Sequence, residues 1–344
     1  MAQKITIFAP NCKVDNPKTM ASVRQFFKNW ALPISMASGA LAYFVFVALP
    51  IPAAVHVVTY TALSQYIQPT LIFCMLFLSF MKVRIADMRP QWWHLWVLIL
   101  QAGWFILFSL LSMHCQHHGL KVLCEGAMLA FICPTATASA VITGKLGGSV
   151  PGVVTYLMFC NLMVSVVASA FLPLVEPQEG LNFITSFYMI IGKVFPLLIC
   201  PLLLAQLVRY LWPKAHRKLL AYPDLAFHIW VVSLALAITV TVRSIVHSSV
   251  DWRYMVALAL ISAVCCLSQF WMGKRVGARY DVGHPLRDSV RVTAGQAFGQ
   301  KNTVFIIWLG LVFLDPVTSV VGGFYSLWHN LVNSWQLYKV RHRA

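Results

Sequence analysis

Two short stretches hold most of the side chains that could do chemistry in an apolar setting. The first is Cys133-Pro134-Thr135-Ala136-Thr137-Ala138-Ser139-Ala140. The second runs Thr293-Ala294-Gly295-Gln296-Ala297-Phe298-Gly299-Gln300-Lys301-Asn302-Thr303. Together they offer hydroxyls, amides and one ammonium, with no Asp or Glu in either. Such groups suit reversible binding. Bond-making in a membrane would need paired carboxylates, a metal set, or a nucleophile with its base. Pro134 removes a helix hydrogen bond and frees a carbonyl, while Gly295 and Gly299 tolerate unusual backbone angles. Two interrupted helices meeting there would offer free carbonyls, free N–H groups and opposed dipole ends to a solute. Small residues also serve plain helix packing, but packing does not ask for Gln296, Gln300, Lys301 and Asn302 together.

The elements that must hold these stretches are membrane helices. The chain is 59% hydrophobic and 10% charged over 344 residues, with mean hydropathy +0.74, too few polar residues to cover a soluble surface. Its apolar runs approach the roughly 20 residues that cross a bilayer as a helix. They are continuous, without the period-2 alternation of a barrel strand. Ten spans are expected, at about 29–49, 57–81, 92–113, 123–146, 150–174, 183–211, 225–246, 252–273, 287–314 and 316–338. These make a transmembrane domain over 29–338, between tails 1–28 and 339–344. Residues Met1–Lys28 are mixed and polar, without the apolar centre of a cleavable signal.

The net charge of +16 could suggest nucleic acid, but no basic-aromatic face accompanies it. It falls instead in clusters between spans. The N-terminal tail (Lys4, Lys13, Lys18, Arg24, Lys28) and the second loop (Lys82, Arg84, Arg89) carry part of it. The fourth loop (Lys145), the sixth (Arg209, Lys214, Arg217, Lys218) and the eighth (Lys274, Arg275, Arg279, Arg287, Arg291) continue the pattern, as does the end of the chain (Lys339, Arg341, Arg343). The odd loops hold only Lys121, Arg243 and Arg253, and the fifth is acidic through Glu176 and Glu179. By the positive-inside rule both termini are expected in the cytoplasm of a multi-pass protein of the cell inner membrane. Ten spans divide into two sets of five that enter the membrane in opposite senses, and inverted repeats of this kind often break a helix at matching places. The two polar stretches fall on the fourth and ninth spans, which are matching places.

Two cations lie within spans. An ammonium at membrane depth costs roughly 2.5–3.5 kcal/mol on insertion scales, so Lys301 is expected to face the interior or a cavity, unless it snorkels to water. Lys193, in Ile191-Gly192-Lys193, is expected either at a cleft or at a hydrated packing position. Glu125 is expected near the outer interface. Cys74, Cys133, Cys160, Cys200, Cys265 and Cys266 read as small hydrophobes in helix interfaces. His114, His117 and His118 read as solvated loop residues, because they lack the fixed spacing of a ligand set. Trp92, Trp93 and Trp96 read as an interfacial belt, and His329 and Asn330 as partners in a helix–helix hydrogen bond.

At this point the motifs resemble a known family. Cys133-Pro134 through Val141 looks like the C-P-G-G-T-A-S-N-V signature of the bile acid:sodium symporters. Gln300-x-Asn302 is similar to their E-x-x-x-Q-N segment, and Phe324 through Asn330 (F-Y-S-L-W-H-N) resembles their final-helix F-x-x-W-H-N. Gln101 in L-I-L-Q-A sits where the family has a glutamine in its third helix. The resemblance runs in order over about residues 30–338. It implies a bacterial transporter with a panel of helices 1, 2, 6 and 7 beside a core of helices 3–5 and 8–10. In that fold helices 4 and 9 are unwound and cross, with two sodium ions beside the crossing.

Gln101, Ser139 and Gln300 match ion-site positions, so sodium is the coupling ion the resemblance implies. Other positions depart from the pattern. Ala140 replaces an asparagine, Val153 and Leu157 replace hydroxyl residues, Gln296 replaces the glutamate, and Lys301 is an added residue before Asn302. A cation in a low-dielectric site is usually held partly by a carboxylate. A Lys301 ammonium could supply the positive charge that sodium supplies elsewhere, or meet an anionic substrate directly.

The expected function is secondary active transport of a small organic anion by alternating access, coupled to sodium or protons. Binding is expected from Gln101, Thr135, Thr137, Ser139, Gln296, Gln300, Lys301 and Asn302, with Gln101, Ser139, Gln296 and Gln300 the candidates for any sodium. No other cofactor and no nucleic-acid partner is expected beyond substrate and bilayer. A non-transporting sensor on the same scaffold is the main alternative, and an intramembrane enzyme is a more distant one.

Overall fold

The computed structural model describes residues 17–177, 180–222, 224–247, 251–281 and 289–342. Lys4, Lys13, Glu179, Arg287 and Arg343 lie outside the described residues. Within them the regular structure is all helical, apart from one isolated β-bridge. In order the helices are α1 (Pro17–Ala48), α2 (Ala53–Ala62), α3 (Gln68–Phe80), α4 (Trp92–His114), α5 (His118–Ile132), α6 (Ser139–Lys145) and α7 (Val150–Val175). There follow α8 (Phe183–Leu211), α9 (Pro213–Leu220), α10 (Leu225–Val246), α11 (Trp252–Ala278), α12 (Val290–Gly299), α13 (Thr303–Phe313) and α14 (Val320–Arg341).

Among the described residues seven helical stretches are long and apolar enough to cross a membrane: Trp30–Ala48, Ala53–Phe80, α4, α7, α8, α10 and α11. Large apolar side chains such as Leu41, Val58, Leu203 and Val264 lie exposed on the outside of these helices. Only lipid makes that surface favourable. The chain is a multi-pass membrane protein.

Local sequence explains most helix starts. Ser149, Asn182, Asp251 and Ser289 each accept a backbone N–H from the first turn of α7, α8, α11 and α12, the usual role of such residues at an N-cap. Two boundaries differ from the hydropathy expectation. α1 starts at Pro17, well ahead of residue 29, because apolarity marks the lipid while the helix runs on into polar sequence. The second span is one helix interrupted by a π-helical turn at Leu63–Ile67.

The helices fall into two groups. α1 packs on α10, α10 on α3, and α3 on α8. The hydroxyl of Thr239 donates to Gly39 O at 2.9 Å, and Gln68 Nε2 donates to Ser233 O at 3.2 Å. The second group gathers α4, α5, α7, α11, α12 and α14 around the interrupted segments. Its tightest seam joins α11 to α12. A Cβ on Gly273 would lie 2.4 Å from Ala294 O, and one on Gly277 would lie 2.4 Å from Val290 O. These two glycines, four residues apart, let the backbones touch, as small residues do between membrane helices.

Between the groups, Asn161 Nδ2 donates to Leu198 O at 3.3 Å, and Trp308 Nε1 donates at 3.0 Å to the carbonyl of Ser64 in the π-turn. Trp93 corrects the aromatic-belt expectation. Trp92 and Trp96 are exposed, but Trp93 is buried and stacks on Tyr156. Asn330 likewise bonds within its own helix, to Ser326 O at 2.7 Å, rather than across to another.

Candidate functional site

α5 stops at Ile132 and α6 starts at Ser139, while α12 stops at Gly299 and α13 starts at Thr303. The two gaps lie against each other as a short antiparallel pairing centred on the bridge between Thr135 and Lys301. Ala136 N donates to Gln300 O at 3.0 Å, and Asn302 N donates to Pro134 O at 2.9 Å. Pro134 cannot continue the α5 ladder, so the chain leaves the helix and finds backbone partners across the gap. Asn302 then caps α13 through its side-chain oxygen, which accepts from Phe305 N at 3.3 Å.

A helix ending inside a protein leaves its last carbonyls without intrahelical donors. Here side chains supply them one by one. Gln269 Nε2 donates to Ala130 O at 3.1 Å, and Lys301 Nζ to Phe131 O at 3.3 Å. Gln101 Nε2 donates to both Ile132 O and Cys133 O at 3.1 Å. The end of α12 is treated the same way. Thr135 Oγ1 donates to Ala297 O at 2.5 Å, and Tyr325 OH to Gly299 O at 2.9 Å. Both α5 and α12 therefore point negative dipole ends at the crossing.

Lys301 sits at that convergence, fully buried, with its ammonium 5.0 Å from the centre of the Phe298 ring. Among the described residues no ion pair involves it. It does not snorkel.

Of the expected binding residues, Gln101, Thr135, Gln296, Gln300, Lys301 and Asn302 come together here, all buried. Gln300 Nε2 donates to Gln296 Oε1, and Gln296 Nε2 donates to Gln336 Oε1 at 3.1 Å. Ser139 is buried at the first turn of α6, with no hydrogen bond to its hydroxyl among the described residues. Thr137 is only half-buried and lies on the open side of the break, beside exposed Ala138 and Val141.

Sequence reading missed Gln269, Tyr156, Tyr325 and Gln336. Each is a polar residue inside a largely apolar span. That was the available signal, but their partners are carbonyls or a single distant amide, which no spacing reveals.

The outlying groups have their own places. Lys193 is exposed, 3.4 Å from Gln65 Oε1 of the π-turn and 5.8 Å from the Phe313 ring centre. Glu125 is fully buried, 3.8 Å from the ammonium of Lys121, which also pairs with Glu176. Asp315 N donates to Glu125 Oε2 at 3.4 Å, and His118 Nε2 lies 3.2 Å from Asp315. His118, Lys121, Glu176 and Asp315 line a cleft of about 450 Å³ together with Val312 and Phe313.

Membrane helices that break, pair through their unwound backbones and gather polar side chains around the break describe a transporter-like membrane protein. A model of the sodium bile acid symporter family matches residues 68–250, more than half of the 344. The chain belongs to that family, one of sodium-coupled transporters of organic anions. The matched part includes the Cys133–Ala138 break and ends before Gln300–Asn302. No curated protein matches the chain.

The family implies sodium, and the residues present do not fit it well. Two carbonyl acceptors in front of Gln101 fix its amide nitrogen toward the crossing, and its oxygen accepts from Tyr156 OH at 2.7 Å. The Gln296 oxygen is taken by Gln300, the freed carbonyls by donors of the protein itself, and among the described residues no carboxylate reaches the crossing. Among the described residues no His, Cys, Asp or Glu group is arranged to hold a metal ion.

Proposed function

We propose that this protein is a secondary active transporter that carries a small organic anion by alternating access, coupled to sodium or protons. In this reading the ten spans form two inverted sets of five, with both termini in the cytoplasm. The α5–α6 pair makes the fourth span and the α12–α13 pair the ninth. The α1, α2–α3, α8 and α10 group is the panel, and the remaining spans are the moving core. Gln101, Thr135, Thr137, Ser139, Gln296, Gln300, Lys301 and Asn302 form or support the binding region. The observation that carries the reading is the backbone pairing of Thr135 with Lys301, which joins two interrupted helices at a buried positive charge. A positive centre with no acid near it favours an anionic cargo.

The experiment is uptake into liposomes holding the purified protein, under imposed sodium and proton gradients, from a mixed pool of labelled metabolites. Accumulation of an organic anion above equilibrium is expected. Uptake restricted to cations would defeat the proposal, and binding without accumulation would favour the sensor.

A further inference from the structure

We infer that the ammonium of Lys301 is the resident cation of the crossing, and that this chain carries its anion without taking up sodium. The inference rests on the transport reading above and narrows its coupling. The C-termini of α5 and α12 aim negative dipole ends at the crossing, opposite the N-termini of α6 and α13, and Lys301 turns its ammonium to the C-terminal side, where a cation is favoured. A symporter of this family meets the need with sodium. In this chain the cation is covalently attached. Lys301 lies in the three-residue gap between α12 and α13, and its backbone is pinned by the bridge to Thr135.

The side chain is fully buried and turns its ammonium onto Phe131 O, one of the last carbonyls of α5. The Phe298 ring face adds a second attraction. Among the described residues no carboxylate pairs with the ammonium. Changes elsewhere in the site agree with the substitution. Gln296 is an amide that spends its oxygen on Gln300, and Gln101 presents nitrogen rather than oxygen to the crossing. Each gives up a role in holding a metal ion. An ammonium fixed among carbonyls makes those ligands unnecessary and would repel a second cation brought beside it.

The test uses the full chain purified in detergent, with sodium, potassium and choline chlorides at equal concentration as probes and thermal unfolding as the readout. Wild type is expected to melt at the same temperature in all three. A saturating rise specific to sodium would overturn the inference, since a bound ion stabilises the state that binds it. A second arm compares uptake by liposomes with and without sodium. Equal rates are expected in wild type, with loss of uptake in Lys301→Gln and retention in Lys301→Arg. Uptake that requires sodium, or wild-type uptake by Lys301→Gln, also overturns it. If no anion is taken up by wild type, the transport reading fails, and the melting comparison still decides the matter for Lys301. If Lys301→Gln does not fold, the sodium dependence of wild type decides.

Discussion

The hydroxyl of Tyr156 holds the side-chain oxygen of Gln101 at 2.7 Å, and this one bond turns the amide nitrogen onto the carbonyls of Ile132 and Cys133. Gln101→Leu should therefore destabilise the protein by about 1–3 kcal/mol, because two buried carbonyls lose their donor. Gln101→Glu should be at least as damaging, since it sets an acceptor against acceptors. Tyr156→Phe should cost less, about 1 kcal/mol. Unfolding of the purified variants measures all three. A Gln101→Leu variant as stable as wild type would show that the carbonyls find other donors.

The α11–α12 seam makes a sharper prediction. Gly273→Leu and Gly277→Val should lose folded protein, because a Cβ at either position meets backbone that cannot move aside. Gly103 in α4 is the control, with nothing within 4 Å of its Cβ position. Gly103→Ala should hold or raise stability, by up to about 1 kcal/mol from backbone entropy. Size-exclusion yield and melting temperature separate these outcomes.

Lys121 compensates a carboxylate that has left water. Lys121→Met should destabilise by about 2 kcal/mol, less than the roughly 3–5 of a fully buried pair, because Lys121 is partly exposed. Adding Glu125→Gln should restore part of the loss, since it removes the buried carboxylate and leaves only the partly exposed Glu176 without Lys121. Additive losses in that double-mutant cycle would show that the two groups do not interact.

Trp308→Phe removes the 3.0 Å bond to Ser64 O, one of the bonds between the two helix groups. The expected cost is about 1 kcal/mol, with faster amide exchange in α13 and around Leu63–Ile67. Unchanged exchange in both segments would count against a tether at this point.

The breaks themselves are legible in the sequence. Pro134 and the polar run through Asn302 stand out because apolar sequence surrounds them, and hydropathy separates the spans by composition alone. What the side-chain pattern could not show is where the carbonyls go. Gln269, Tyr325 and Gln101 act on backbone oxygens contributed by other helices, and every residue type carries such an oxygen. The π-turn at Leu63–Ile67 was hidden for a related reason, because no proline or glycine lies inside it. Gln101 also shows the limit of motif matching. Its place in the chain resembles an ion ligand, while its bonds make it a cap.

The donors that close the crossing come from α4, α11, α14 and the broken helices themselves, and the hydrogen bonds described for it draw nothing from α1, α3, α8 or α10. In the proposed transport cycle the knot would move as one body, and only the ties to the other group, such as Asn161 to Leu198 O and Trp308 to Ser64 O, would have to break. Changes on α8 such as one at Lys193 would leave every bond inside the knot in place.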